Sequence, residues 1–190
     1  MPQNSYVCLL STESMDIIIY GSLHGAAKRY ADGLVEMTGI NALDYKKAKS
    51  LDPYKRVIYF GSIYAGGVTG LKKTVARLVP GQEFFLVTVG MVAPGDNAFF
   101  DAFREALKKQ IPSPFFDEKK VFHLHGAIDY GQLELKYRLL MKMMYSIASK
   151  TPEDQRTAEM KAVLATYGQK VDYVDLDTLK PLVAALEPYA

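Results

Sequence analysis

The strongest constraint on this fold is a short apolar strand, Ile17 to Tyr20, that leads directly into a turn of small residues. Consecutive apolar positions predict a strand that is buried on both faces, as in a parallel sheet covered by helices. The turn contains Gly21, Ser22 and Gly25, whose small size leaves the backbone uncovered. A helix is predicted to follow, so that its free N-terminal amides and positive dipole end face the turn. This combination predicts a binding site for a phosphorylated cofactor.

Composition limits the class of protein. The 190 residues are 49% hydrophobic, which suits one compact domain with a full core. There are 23 Lys and Arg against 21 Asp and Glu, a net charge of +2, and this near-neutral balance argues against nucleic-acid binding. No apolar run is long enough to cross a bilayer, and no secretion signal is recognisable. The single cysteine, Cys8, rules out an internal disulfide and favours a reducing compartment, so a cytoplasmic protein is expected.

The chain divides into an appendage and one domain. Residues 1–14 have a mixed pattern and are interpreted as a tag or appendage, with an added edge strand through residues 6–10 as the alternative. Residues 15–190 are interpreted as a single domain.

Predicted strands and helices alternate within that domain. The strands are predicted at 15–20, 40–45, 56–61, 83–89 and 120–126, and the helices at 25–38, 70–79, 96–110, 133–150, 151–167 and 176–186. Such alternation is typical of a three-layer α/β fold. We predict a doubly wound, five-stranded parallel sheet of order 2-1-3-4-5, with an extra helix after strand 5. Ligands in such folds bind beyond the carboxyl ends of the strands, at the switch point between the first and third strands.

Three motifs add a family resemblance. They are the turn at 20–25, the loop at 60–66 followed by two lysines, and the segment 126–130 followed by a basic, Met-rich helix. Together they resemble the flavodoxin family, and more narrowly its branch that contains the menaquinone-dependent protoporphyrinogen oxidases. The resemblance implies FMN, with its phosphate on the first turn and its ring between the second and third loops. The implied cofactor-binding residues are Ser22, Leu23, His24, Gly25, Ala26, Ala27, Ser62, Ile63, Tyr64, Ala65, Gly66, Gly67, Val89, Gly90 and Met91.

The resemblance also implies an activity. It predicts an oxidoreductase that moves electrons between a bulky, porphyrinogen-like substrate and a quinone or another acceptor. A one-electron carrier for a redox partner protein is the alternative, although such carriers are usually acidic and this chain is net +2. Tyr64 is the candidate aromatic contact of the ring. Asp129 and Tyr130 are candidate substrate contacts near the flavin edge, and a turn closed by Gly131 would explain them equally well.

The first turn departs from the family pattern. Flavodoxin turns usually carry Ser or Thr at the first, third and sixth positions, and here Ser22 is followed by His24 and Ala27 at the other two. A hydrogen bond to a charged group contributes about 1.5–3 kcal/mol, so the loss of two would weaken binding roughly a hundredfold or more. We expect weaker FMN binding, with His24 or Lys28 supplying replacement charge. A flavodoxin-fold binding module without flavin is the second hypothesis.

The segment 133–150 leaves several roles open. Its predicted apolar side could cover the core, form a homodimer contact, or rest peripherally on the inner face of a membrane within reach of a quinone. That side comprises Leu133, Tyr137, Leu140, Met141, Met144, Ile147 and Ala148. His123 and His125 share one face of a predicted strand. No carboxylate or cysteine lies near them in sequence, so packed histidines are favoured and no metal site is predicted.

Overall fold

A computed structural model describes residues 15–64 and 66–186. Its strands are β1 (Asp16–Gly21), β2 (Ala42–Asp44), β3 (Arg56–Tyr64), β4 (Gly67–Val68), β5 (Glu83–Gly90), β6 (Val121–His125), β7 (Ala127–Asp129) and β8 (Lys170–Asp172). Its helices are α1 (Ala26–Thr38), α2 (Leu71–Val75), α3 (Asn97–Lys108), α4 (Leu135–Lys150), α5 (Ala158–Thr166) and α6 (Lys180–Leu186). Cys8, the alternative strand at 6–10 and the rest of the predicted appendage lie outside the described residues.

The central sheet confirms the predicted topology. Five parallel strands run in the order β2-β1-β3-β5-β6, which is 2-1-3-4-5 when only these strands are numbered. The chain order reverses between β1 and β3, whose last paired residues are Gly21 and Gly61. Ligand sites are expected outside the strand ends at this switch point.

Helices cover both faces of the sheet, as the apolar strands require. On one face, Tyr59 and Leu86 pack with Leu71 of α2 and Phe100 of α3. On the other face, β3 and β5 pack against Tyr30 of α1 and against α6. A third, smaller cluster joins β7 to α4 and α5. Met141 of α4 and Val163 of α5 belong to this third cluster, and α5 also packs against the first cluster through Ala158 and Ala162.

A pair of glycines lets a hairpin fold over the ends of β1 and β3. After β3, the chain turns back through β4, which pairs antiparallel with Ile63 and Tyr64. A Cβ on Gly21 would overlap the Thr69 carbonyl oxygen, and a Cβ on Gly61 would overlap the Val68 side chain. The Tyr59 hydroxyl donates a hydrogen bond to the same Thr69 carbonyl. The hairpin therefore lies directly on the backbone of the two strands.

Several predicted boundaries are wrong, each for a local reason. Residues 62–64 were predicted in a loop, but they extend β3 because β4 supplies a partner. The helix predicted from 70 to 79 ends at Val75. The last helical segment is divided into a 3₁₀ turn, Leu176–Leu179, and α6. The β7 and β8 pair was missed, because a three-residue strand carries too little pattern to identify.

The start of α5 is a further correction. Thr151 and Pro152 were predicted to begin a helix, but they precede a 3₁₀ turn, Glu153–Gln155. The helix begins later, where the Thr157 hydroxyl accepts a hydrogen bond from the Met160 amide at 3.3 Å. Both sites carry a capping hydroxyl with acids close behind it, so local pattern alone did not distinguish them.

The predicted apolar side of α4 is partly correct. Leu133, Met141 and Ala148 are buried, whereas Ile147 is 50% exposed, so its assignment to the buried side is wrong. Of the helices that the structure describes, none combines the length and apolar character needed to cross a bilayer.

Replacing Gly21 with alanine tests the hairpin contact. The added methyl group would press on the Thr69 carbonyl, which is held by β4 and by Tyr59. We expect the free energy of unfolding to fall by about 1–3 kcal/mol, as for other overpacked sites. Urea denaturation measures the change. Gly95→Ala is the matched control, because a Cβ there meets nothing within 4 Å and should leave the unfolding midpoint nearly unchanged. Equal midpoints for the two variants would contradict the contact.

Candidate functional site

The turn after β1 presents free backbone amides. Gly25 caps α1 in the left-handed conformation, with φ of 89°, and no side chain accepts a hydrogen bond there. The amide of Arg29 bonds to the Gly25 carbonyl at 3.0 Å and so begins the helical pattern. Within the described residues, the preceding amides of Ala26, Ala27 and Lys28 have no acceptor. These three N–H groups and the helix dipole favour an anion at this position.

Two serines shape the same turn differently. The Ser22 hydroxyl is buried and has no hydrogen-bond partner among the described residues. Ser62, at the end of β3, accepts a hydrogen bond from the Leu23 amide at 3.2 Å. This hydrogen bond ties the turn after β1 to the end of β3, while the Ser22 hydroxyl remains available to bind a ligand. Buried polar groups are nearly always satisfied, so an unpaired hydroxyl beside open amides points to an absent ligand.

An apolar cavity of about 440 Å³ adjoins this turn. It lies beyond the carboxyl ends of β3 and β5 and is covered by α4 and α5. Its volume falls within the usual range for small-molecule sites. Its lining residues are His24, Ile63, Tyr64, Gly66, Gly90, Met91, Val92, Phe99, Ile128, Met141, Met144, Thr157, Glu159, Met160, Ala162, Val163 and Thr166.

Three aromatic rings meet at one side of the cavity. Tyr137 of α4 contacts both His24 and Tyr64 edge-on, with ring centroids 5.6 Å apart in each pair. The Lys136 ammonium lies 4.6 Å from the centre of the Tyr137 ring. Burial lowers the pKa of His24, and the Glu134 carboxylate partly opposes that shift. The neutral form of the His24 imidazole is therefore favoured. Through its two ring contacts, Tyr137 connects the turn after β1 to the end of β3.

The predicted cofactor residues fall into two groups. Six of them line the cavity together: His24, Ile63, Tyr64, Gly66, Gly90 and Met91. The others that the structure describes are not part of the lining. Ala26 and Ala27 bury their methyl groups in the core and leave only their amides to the turn, while Val89 packs in the same core. Gly67 pairs with Tyr64 in the hairpin, and Ala65 lies outside the described residues.

Neither of the two predicted substrate residues lines the cavity. The Asp129 carboxylate accepts a hydrogen bond from the Gly131 amide at 2.9 Å and lies 3.5 Å from the Lys170 ammonium. Tyr130 is buried, with its ring 5.3 Å from that of Tyr167. A substrate contact by Asp129 or Tyr130 stays a prediction.

The lining from α4 and α5 was not predicted as part of the site. Met141 and Met144 carried a signal, since they lie on the apolar side recognised in the sequence. Glu159, Met160 and Val163 carried none, because α5 reaches the cavity through tertiary packing, both in the cluster that it shares with α4 and against the core beneath α3.

The two histidines of β6 make separate packing contacts. His123 stacks on Phe100 at 4.0 Å, and its Nδ1 lies 2.6 Å from the Thr88 hydroxyl. His125 stacks on Tyr173 at 4.2 Å. Burial, aided by the charge of Arg104, lowers the pKa of His123 to about 4. Its Nε2 is buried without a partner in the described chain, so a proton there would be unsatisfied.

The low pKa of His123 predicts acid sensitivity. An unfolded histidine titrates near 6.5, so between about pH 6.5 and 4 the unfolded state binds more protons than the folded state. The free energy of unfolding should therefore fall as the pH falls through this window. In His123→Phe, urea denaturation should show a flatter pH dependence. The Ser113→Ala control, at an exposed position, keeps the imidazole and its contacts and should keep the slope. An unchanged slope in His123→Phe would contradict the assignment.

The fold and the site together define a class of protein. A parallel α/β sheet with an open helix N-terminus and an adjoining apolar cavity at its switch point has the features of a nucleotide-cofactor domain. The sequence model of the flavodoxin domain matches residues 17–155, and the chain therefore belongs to this family.

Solved structures show weaker similarity. Oxidised flavodoxin 1 from Bacillus cereus is 13% identical, with 60% of this chain and 86% of that chain covered at a TM-score of 0.38. The Flv1 flavodiiron core from Synechocystis sp. PCC6803 is 13% identical, with 60% of this chain and 31% of that chain covered at a TM-score of 0.40. A mutant flavodoxin from Pseudomonas aeruginosa is 13% identical, with 58% of this chain and 83% of that chain covered at a TM-score of 0.36. Among curated proteins, none matches the sequence. The family match alone carries the assignment.

Proposed function

We propose that this protein binds FMN, with the phosphate at the start of α1 and the isoalloxazine ring in the cavity. The observation that carries the proposal is the buried, unpaired Ser22 hydroxyl beside the open amides of Ala26, Ala27 and Lys28. A phosphate accepts hydrogen bonds from hydroxyl and amide donors and is favoured by the helix dipole. The donor set therefore fits the phosphate, although it lacks the two further hydroxyls of the usual flavodoxin turn.

The cavity fits the other end of the same cofactor. Its lining is mainly apolar and includes the Tyr64 ring and the backbone of Gly66 and Gly90, so a flat ring system can approach the main chain closely. A Cβ on Gly90 would meet the Ile63 side chain at 3.0 Å, so the site has little room for a larger residue. His24 lies on both the turn and the cavity, which joins the two parts into one site.

The cover that α4 and α5 form over the cavity supports the proposal that the protein is an oxidoreductase. Bound FMN supplies electron transfer in steps of one or two electrons. The apolar side chains of Met141, Met144 and Val163 would exclude water from the ring, and the Tyr64 ring would orient it. A covered, apolar ring favours an apolar organic substrate over direct docking of a redox protein. We extend the proposal to a bulky, porphyrinogen-like substrate and a quinone acceptor, which is supported by the sequence resemblance and the apolar lining.

A second candidate function is a binding module without flavin. The contact of Tyr137 with both His24 and Tyr64 favours this candidate, because the Tyr137 ring occupies the space between the turn after β1 and the end of β3. The missing turn hydroxyls favour it as well. FMN binding distinguishes the two functions directly.

Fluorescence titration with FMN and with riboflavin tests the phosphate site. We expect Ser22→Ala to weaken FMN binding about 10- to 150-fold, because a charge-assisted hydrogen bond of about 1.5–3 kcal/mol is lost. Riboflavin lacks the phosphate, so its affinity should not change. Ser113→Ala, at an exposed position, is the matched control. Failure of the unaltered protein to bind FMN, or an equal effect on both ligands, would reject the phosphate site.

Tyr137→Ala tests which role the tyrosine has. If Tyr137 covers a bound ring, its removal should weaken FMN binding several-fold, since aromatic contacts contribute about 0.5–1.5 kcal/mol beyond burial. If it blocks the ring site, as the flavin-free module requires, its removal should create or strengthen FMN binding. Tyr145→Ala is the control on the same helix, because the Tyr145 ring stacks on Tyr167 and makes no ring contact with His24 or Tyr64 in the described part of the chain. The same titration measures all three proteins.

A further inference from the structure

The outer face of α4 carries an exposed apolar ridge. We define the α4 ridge as Leu135, Leu139, Met143 and Ile147, whose exposed fractions are 80%, 68%, 53% and 50%. These residues recur every four positions and so follow one side of the helix. The opposite side packs on the core through Met141 and Ala148. The helix is therefore apolar on two sides, of which only one has a partner among the described residues.

The ridge is unlike the rest of the described surface. Half of the large apolar side chains that the described residues leave exposed lie on α4. Single exposed apolar residues are normal, but a contiguous row of them marks an interaction surface. The row runs from Leu135 to Ile147 of α4 and so extends over roughly 18 Å.

Positive charge borders the ridge. Residues 135–150 contain Lys136, Arg138, Lys142 and Lys150 and no acidic residue. Lys136 pairs with Glu134 at 2.9 Å, whereas Lys142 and Lys150 have no ion pair in the described part of the chain. An apolar row edged by unpaired lysines has the composition of a helix that lies in a lipid interface, with its ammonium groups at the headgroups.

The positive charge beside the α4 ridge also disfavours two other partners for it, a second copy of the chain and residues 1–14. A symmetric dimer through the ridge would bring the same lysines of two copies together, with no acidic residue on the helix to pair with them. Residues 1–14 contain one acidic residue, Glu13, which is too little charge to match the lysines. An anionic bilayer supplies both apolar chains and negative headgroups.

We propose that the α4 ridge docks this protein on an anionic lipid surface. In this orientation, Leu139 and Met143 enter the acyl boundary while Lys142 and Lys150 meet the headgroups. The cavity side of α4 faces the opposite way, toward the sheet. The proposal stands on the exposed face of α4 and is independent of FMN.

Vesicle sedimentation with the full chain tests the proposal. We expect binding to vesicles of equal parts phosphatidylcholine and phosphatidylglycerol, weak binding to phosphatidylcholine alone, and release as NaCl is raised. Lys142→Gln with Lys150→Gln should lower partitioning about 10- to 30-fold, since each basic residue near such a surface contributes about 1 kcal/mol. Lys47→Gln with Lys49→Gln, at exposed positions elsewhere, is the charge-matched control and should bind normally.

A second pair of variants tests the apolar part. Leu139→Ser with Met143→Ser should abolish sedimentation with the anionic vesicles. Met37→Ser with Leu43→Ser, which alters residues of similar chemistry exposed on α1 and β2, should bind as the unaltered chain does. Far-UV circular dichroism and the urea midpoint show whether each variant is folded, and exposed positions are expected to leave both unchanged.

Three results would overturn the proposal. Equal binding to neutral and anionic vesicles would remove the role of charge. A dimer detected by light scattering and lost in Leu139→Ser with Met143→Ser would show that a second copy covers the ridge. Vesicle binding that appears only after residues 1–14 are removed would show that this segment covers the ridge in the full chain.

Discussion

The site depends on the close approach of a hairpin to two strands. Gly21 and Gly61 are paired across β1 and β3, and neither position has room for a Cβ. The chain from β4 to Thr69 therefore rests on the strand backbone, where the Tyr59 hydroxyl holds it. With the second loop fixed in this way, Ser62 can accept the Leu23 amide and set the first loop. The position of the α1 amides follows from that sequence of contacts.

The site combines a polar end and an apolar end that different parts of the chain supply. The sheet and α1 provide the amides and the Ser22 hydroxyl, which are features of the parallel α/β core. The segment after β6 provides the cover, through Met141, Met144 and the side chains of α5. The two parts meet where Tyr137 contacts His24 and Tyr64. The core thus defines where a phosphate would bind, and the cover defines which ring system and which substrate could join it.

The sequence was sufficient for the centre of the sheet, because β1, β3 and β5 are buried and consist largely of consecutive apolar residues. It was also sufficient for the Asp96 cap of α3, where the carboxylate accepts a hydrogen bond from the Phe99 amide at 3.0 Å. It was insufficient for the hairpin after β3, whose pairing depends on a two-residue partner strand. Eleven of the seventeen residues that line the cavity also escaped prediction. Five of them belong to α5, whose position at the cavity depends on tertiary packing and not on any local pattern.

The outermost strands of the sheet have a consequence for the behaviour of the protein in a crowded solution. In the described part of the chain, the sheet ends with β2, which is three residues long, on one side and with β6, which is five, on the other. A strand at a sheet border offers unpaired N–H and C=O groups to any neighbouring chain. Such short borders offer few of them, so extended strand-by-strand association between molecules gains little from this sheet.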